Sequence, residues 1–223
     1  MTQRLVIPSR EEVDSEVAVA HPWWQFSTRF NVAISQSLPV ARLHERESEG
    51  VMMRWGLAQR SEGGEVELSS CGIVRGDTLQ SARALRTAWL HGQRGIVPVA
   101  GFYLWQRTAA GHHQPYYVRL VNRPVFGIAA LWDRAETSAG EVIESCALIA
   151  VDANPLLAEI DTTARMPAIL QRKDYDTWLS GSIPRAQELL EPYPQAQMVC
   201  HAVAPYVNHL EFDEPRLIRP ASR

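Results

Sequence analysis

The sequence predicts an α+β fold built on a mixed, largely antiparallel sheet with several short helices. Two observations carry this. Strand-like runs outnumber helical ones, and they arrive in succession, separated by polar turns, rather than in strand–helix–strand alternation. In their midst stands Gly95–Trp105, apolar on both alternate sets, rich in β-branched and aromatic residues and free of charge; it reads as one strand buried on both faces. Gly101 in its middle marks a bulge or a close approach of other backbone, and Pro98 marks a strand start or an edge.

The 223 residues suffice for one large core. With no internal repeat and no linker that divides the chain, a single domain over residues 1–223 is expected. The net charge of −3 excludes a protein held to nucleic acid or membrane by its overall charge, while leaving room for a local basic cluster. Cys71, Cys146 and Cys200 are odd in number and widely spaced, which argues against disulfide staples and zinc, so no metal is expected. Without a signal-like N-terminus or a membrane-length apolar run, the expected location is cytoplasmic.

In order along the chain, Ser9 caps a short helix over residues 9–19 with Glu11 and Glu12 in its first turn, and His21-Pro22 breaks it. Trp23 and Trp24 read as core or partner packing, with an exposed stacking surface as the alternative. Residues 29–34 and 38–43 form a loop and a strand, and residues 51–57 another strand. Residues 61–70, with Gly63-Gly64, are the most loop-like stretch. A helix is expected over residues 78–90, with Leu79, Ala82, Leu85, Trp89 and Leu90 on one stripe. Arg83 borders that stripe and Arg86 falls within it, which points both toward a cleft or a partner. Strands follow at 116–121, 125–132 and 145–151. His112-His113 lies in a Gly-bounded, solvent-exposed turn. Asn154-Pro155 opens a short helix, residues 173–179 and 182–190 form two more, and the tail from Met198 holds a last strand.

Several fragments in this order resemble the SOS-response-associated peptidase (SRAP) family, whose members bind single-stranded DNA and react with abasic sites. They are Arg29-Phe30-Asn31-Val32-Ala33, Trp55-Gly56-Leu57, Arg75 ahead of a helix, and Val97-Pro98 running into Gly101-Phe102-Tyr103-Leu104-Trp105. Then come Gln114-Pro115-Tyr116, Ala130-Leu131-Trp132, Ile160 before Arg165-Met166-Pro167, and Val203 to Asn208. The resemblance implies a barrel-like sheet. It also implies an N-terminal cysteine, exposed by methionine removal, that captures the abasic aldehyde as a thiazolidine while a glutamate, a histidine and an asparagine move protons.

This chain departs at each of those places. Thr2 stands where the cysteine should, Leu104 at the glutamate position and Ile73 at the asparagine position. Ahead of Arg165-Met166-Pro167 the chain reads Asp161-Thr162-Thr163-Ala164, so Thr163 or Asp161 takes the histidine's place. Arg4, Arg75 and Arg83 match positions that grip the DNA backbone, where guanidinium forks suit phosphate oxygens; otherwise they pair with carboxylates such as Asp77 or Asp152. The expectation is a degenerate, non-crosslinking member that binds single-stranded or abasic DNA in the DNA damage response, with no cofactor. Two alternatives stay open. The Thr2 α-amine forms a reversible imine with abasic DNA, or the cleft serves a protein or small ligand and DNA is irrelevant. No Cys–His or Ser–His spacing supports a peptidase.

Overall fold

The two halves of the Gly95–Trp105 run belong to different sheets. The structure, a computed structural model, describes residues 3–60, 65–81 and 83–221. The first part of the chain holds β1 (Arg4–Ile7), α1 (Arg10–Glu16), β2 (His21–Pro22), β3 (Arg29–Ala33), β4 (Ser37–His44) and β5 (Glu47–Trp55). Next come β6 (Ala58–Arg60), β7 (Val66–Leu68), β8 (Ile73–Arg75), α2 (Arg83–Leu90), β9 (Arg94–Val99) and β10 (Gly101–Arg107). Then follow β11 (His113–Leu120), β12 (Phe126–Glu136), β13 (Val142–Asp152), α3 (Pro155–Ala158), β14 (Arg165–Pro167) and β15 (Ile169–Leu170). The chain finishes with α4 (Tyr175–Ser180), α5 (Ile183–Glu188) and β16 (Met198–Ala202).

One sheet runs β16-β11-β10-β1-β3 and is antiparallel throughout. The other runs β14-β13-β12-β9-β4-β5-β2 and closes on itself, because β13 also pairs in parallel with β5 through Ser145–Arg54 and Cys146–Trp55. The ring β5-β4-β9-β12-β13 is a small barrel filled by side chains. The fold is therefore α+β, mostly antiparallel and barrel-like, as the sequence suggests.

The single strand expected over Gly95–Trp105 is instead two, with Ala100 at the corner between barrel and second sheet. Gly101 explains the corner. A Cβ there would lie 2.4 Å from the Tyr117 ring and 2.5 Å from the Val118 carbonyl oxygen, so only glycine lets β10 lie this close to β11. Pro98 sits in an interior strand rather than at a start or an edge. The ladder to β4 covers only Gly95 and Ile96, so the missing N–H breaks no bond on that side.

Local signals explain the first helix. Ser9 accepts from the Glu12 amide while the Glu12 carboxylate accepts from the Ser9 amide, closing a capping box. Residues 29–33 form a strand, β3, because they pair with β1. Residues 66–68 of the loop-like stretch pair with β6, and residues 61–64 lie outside the described residues.

The helix expected over 78–90 is shorter. Gly76–Thr78 is a 3₁₀ turn, and α2 spans Arg83–Leu90 and stops where Gly92 takes a φ of 68°. Leu79, Leu85 and Trp89 are buried as the stripe requires. Leu90, at the edge of that stripe, is 50% exposed, and Arg86 points to solvent rather than into a cleft. Trp24 is fully buried and donates from Nε1 to Asp14 at 3.1 Å, whereas Trp23 is 67% exposed and stacks on His21. Among the described residues no helix is long and apolar enough to cross a membrane.

Burial pushes the Cys146 thiol and the Tyr117 phenol each up to about 12, and the Tyr103 phenol higher still. The neutral forms are the ones the fold holds. Their contribution to stability is therefore complete below the unfolded-state values and is lost as pH rises from about 9 toward 12. Urea unfolding should show stability falling by roughly 1 kcal/mol per pH unit for each such group above its unfolded value. Cys146→Ala should flatten the part of that slope that begins near pH 9; an unchanged slope would contradict a buried thiol.

Candidate functional site

The start of β1 opens onto a cavity of about 640 Å³ whose walls come from four separated parts of the chain. Register explains why they meet. Leu5 pairs with Phe102, which places Gln3 and Arg4 beside the outgoing half of β10. Trp105 and Arg107 share one face of β10, and Arg107 stands opposite His113 of β11. A 3₁₀ turn, Pro205–Asn208, covers the end of this hairpin, and Asn208 Oδ1 accepts from Trp105 Nε1 at 2.7 Å.

The remaining wall is Asp161-Thr162-Thr163. Asn154 caps α3 by accepting from the Leu157 amide, and the chain then turns so that Asp161 N donates to Leu157 O at 3.0 Å. Asp161 Oδ1 accepts from the Thr163 amide at 2.9 Å. Ala164 closes the turn at a φ of 50°, a left-handed conformation that costs an alanine about 1–2 kcal/mol. Gln106 Nε2 donates to Glu159 O at 3.1 Å and ties this segment to β10.

Electrostatics in the cavity are mixed. Asp161 is 5% exposed. Burial raises its carboxyl, but hydrogen-bond donors, the Thr163 amide among them, outweigh burial and hold it below the usual carboxylate range. It is an anion at neutral pH. Arg4 is half-buried, which lowers its guanidinium without neutralising it. One carboxylate and two guanidinium groups, Arg4 and Arg107, thus share one concave site with an imidazole, an indole and two hydroxyls.

The residues singled out in the sequence fall into separate groups. Arg4, Asp161 and Thr163 line the cavity together. Leu104 does not; it is fully buried in the main core, in the same cluster as Phe102, Leu157 and Ile160. Ile73 is half-buried against that core, opposite Leu148 on β13. Both replaced positions hold apolar packing. Thr2 lies outside the described residues, and Gln3, the first described, lines the cavity.

Arg75 ends β8 at the surface and forms a two-pronged pair with Asp77, Nε to Oδ1 at 3.0 Å and Nη2 to Oδ2 at 2.5 Å. Arg165 reaches the same Asp77 at 3.4 Å and Asp152 at 3.0 Å. Hydrogen bonding to Arg75 holds Asp77 below the usual carboxylate range and raises Arg75 in turn. Arg165 follows directly on the Asp161–Ala164 turn, and none of Arg75, Asp77, Asp152 and Arg165 lines the cavity. Arg83 begins α2, and its side chain lies outside the described residues.

Sequence reading passed over Trp105, Arg107, His113 and Asn208 as site residues. His113 is exposed, as expected of a turn, yet it faces the cavity; the pairing of β10 with β11 puts it there, and no local pattern announces it.

The chain belongs to the SOS response associated peptidase (SRAP) family, whose model matches residues 1–210. Curated relatives include the abasic site processing protein YoqW of Bacillus subtilis, 27% identical over 200 residues, or 88% of this chain and 88% of the relative. Another is the abasic site processing protein HMCES of Mus musculus, 26% identical over 243 residues, covering 90% of this chain and 68% of the relative. A solved protein of Bacteroides thetaiotaomicron superposes with a TM-score of 0.76 at 25% identity, covering 86% of this chain and 85% of that one. A Bordetella bronchiseptica protein also reaches 0.76, at 24% identity over 92% of this chain and all of the other, and shares the fold.

Proposed function

We propose that this protein binds abasic sites in single-stranded DNA at the cavity beside β1 and holds them without a stable crosslink. The observation that carries this is the joining of Arg4 with Asp161, which stands in the motif where the resemblance expects a histidine, in one concave site at the start of β1. Relatives named for abasic site processing support the lesion as ligand. Leu104 and Ile73, packed into the core, support the loss of the crosslinking chemistry. Such a protein works where the DNA is, in keeping with the cytoplasmic expectation.

Guanidinium contacts from Arg4, Arg75 and Arg83 to three phosphates of a single strand, with Arg75 exchanging Asp77 for its phosphate, give a log–log salt slope of about −2, and each arginine removed makes it shallower by about 0.7. Anisotropy titrations of an abasic single strand between 50 and 200 mM salt read this directly. Salt-independent binding, or charge reversal at Arg75 and Arg83 without loss of affinity, would turn the reading toward a protein or small-ligand module. Intact-mass analysis after incubation with abasic DNA should show no heat-stable adduct.

A second reading follows from Asp161. In this reading Asp161, an anionic carboxylate in the cavity that Gln3 lines, would take up and return protons for the Thr2 α-amine. The amine would add to the sugar aldehyde and expel water to give a reversible imine. Borohydride would reduce that imine to a secondary amine and leave a covalent protein–DNA product, which an extra residue ahead of Thr2 should abolish. No trapped product, or one indifferent to that extension, rejects this reading.

A further inference from the structure

We propose that the concavity at the tip of the β10–β11 hairpin seats the unpaired nucleotide next to the abasic sugar on the same strand. The inference rests on the DNA-binding reading above and adds a subsite to it. This second cavity, of about 530 Å³, shares His113 and Asn208 with the first, so the two form neighbouring compartments with a common wall. Both volumes fall in the range of about 300–1,000 Å³ typical of small-molecule seats. A single nucleotide fits such a compartment, and a helix does not.

Its chemistry suits a base and a sugar-phosphate edge. His112, Pro115 and Pro205 contribute ring surfaces, Thr108 a hydroxyl, and among the described residues no carboxylate lines the compartment. Like charge therefore does not oppose an anionic strand there. With Oδ1 accepting from Trp105, Asn208 keeps its two amide N–H donors for an acceptor at the shared wall.

The seat is also held in place by the protein itself. Thr108 N donates to His112 O at 2.8 Å, Thr108 Oγ1 donates to the same oxygen at 3.1 Å, and Gly111 N donates to Thr108 O at 2.9 Å. Gln114 Nε2 donates to Pro115 O and Val203 O, each at 2.9 Å, which fixes the hairpin against the segment that leads to Pro205. Stacking on ring surfaces accepts any base. The expected partner is therefore a strand of any sequence around the lesion.

The test uses the full chain and single strands carrying a central tetrahydrofuran residue as a stable abasic analogue. In two companion strands the neighbouring nucleotide on one side or the other also lacks its base. Loss of the base on one side should weaken binding about tenfold, the share of a single stacked base, and loss on the other side should have little effect. His112→Ala with Pro205→Ala should weaken binding of the intact strand by the same factor and bind the base-deleted strand as wild type does, a non-additive cycle. His112→Phe should restore the difference, and it keeps the test valid if Pro205→Ala loosens the 205–208 turn.

Equal losses on both strands, or indifference to both neighbouring bases, overturns the subsite and leaves the lesion site standing. Wild-type protein that does not bind the abasic strand at all overturns both. Tight binding of a free mononucleotide with no effect of strand context assigns the cavity to a small ligand and overturns the proposal.

Discussion

Arg42→Ala is expected to lower the stability of this protein by about 3–5 kcal/mol, the cost of stripping one partner from a buried ionic group. Arg42 lies on β4, 5% exposed. Its Nε donates to Glu49 Oε1 at 2.6 Å on the facing strand β5, and Nη1 donates to Glu144 Oε1 at 2.8 Å on β13. The guanidinium carbon sits 4.3 Å from the centre of the Trp132 ring on β12. One side chain thus joins β4 to β5, β12 and β13, four of the five strands of the ring, near the short parallel contact that closes it. Without it, two carboxylates that are 14% and 27% exposed lose the cation that joins them. Urea unfolding followed by tryptophan fluorescence measures the loss; a change below about 1 kcal/mol would mean that the pairs behave as surface ion pairs. Replacing all three charged residues by apolar ones of similar volume should recover much of the loss, because the unpaired charges, not the lost attraction alone, carry the cost.

The parts of this molecule written in short-range pattern were readable before any coordinates. Ser9 with Glu12, Asn154 with Pro155, and Arg75 with Asp77 each place cap or partner within three residues, and each forms as local chemistry dictates. Leu104 was readable as a core residue because the whole run around it is apolar on both alternate sets. What the pattern could not carry is pairing over long separations. Arg42 and Glu144 lie 102 residues apart, and barrel closure depends on two residue pairs between β5 and β13. His113 reaches the cavity through strand register, and Gly101 turns a continuous apolar run into a corner because of the Tyr117 ring behind it. A run buried on both sides looks the same from sequence whether one sheet or two share it.

Leu104→Glu puts the proposed loss of chemistry to its sharpest test. Were this position an open remnant of an active site, a carboxylate would sit there beside Asp161 in water and titrate without consequence. Leu104 is instead fully buried in the main core, and Gln3, Arg4 and Asp161 line a cavity that it does not line. The variant therefore loses the packing of a leucine and must bury a carboxyl with no cation to meet it, a combined cost of about 3–5 kcal/mol. Desolvation raises the carboxyl of such a residue in the folded state, so its penalty is smallest below the unfolded-state value and grows as pH rises. Urea unfolding at pH 4 and pH 8 should show the gap between variant and wild type widening at the higher pH. A gap that stays constant, or a variant as stable as wild type at pH 8, would mean that water reaches this position, and the reading of a filled, non-crosslinking pocket would fall.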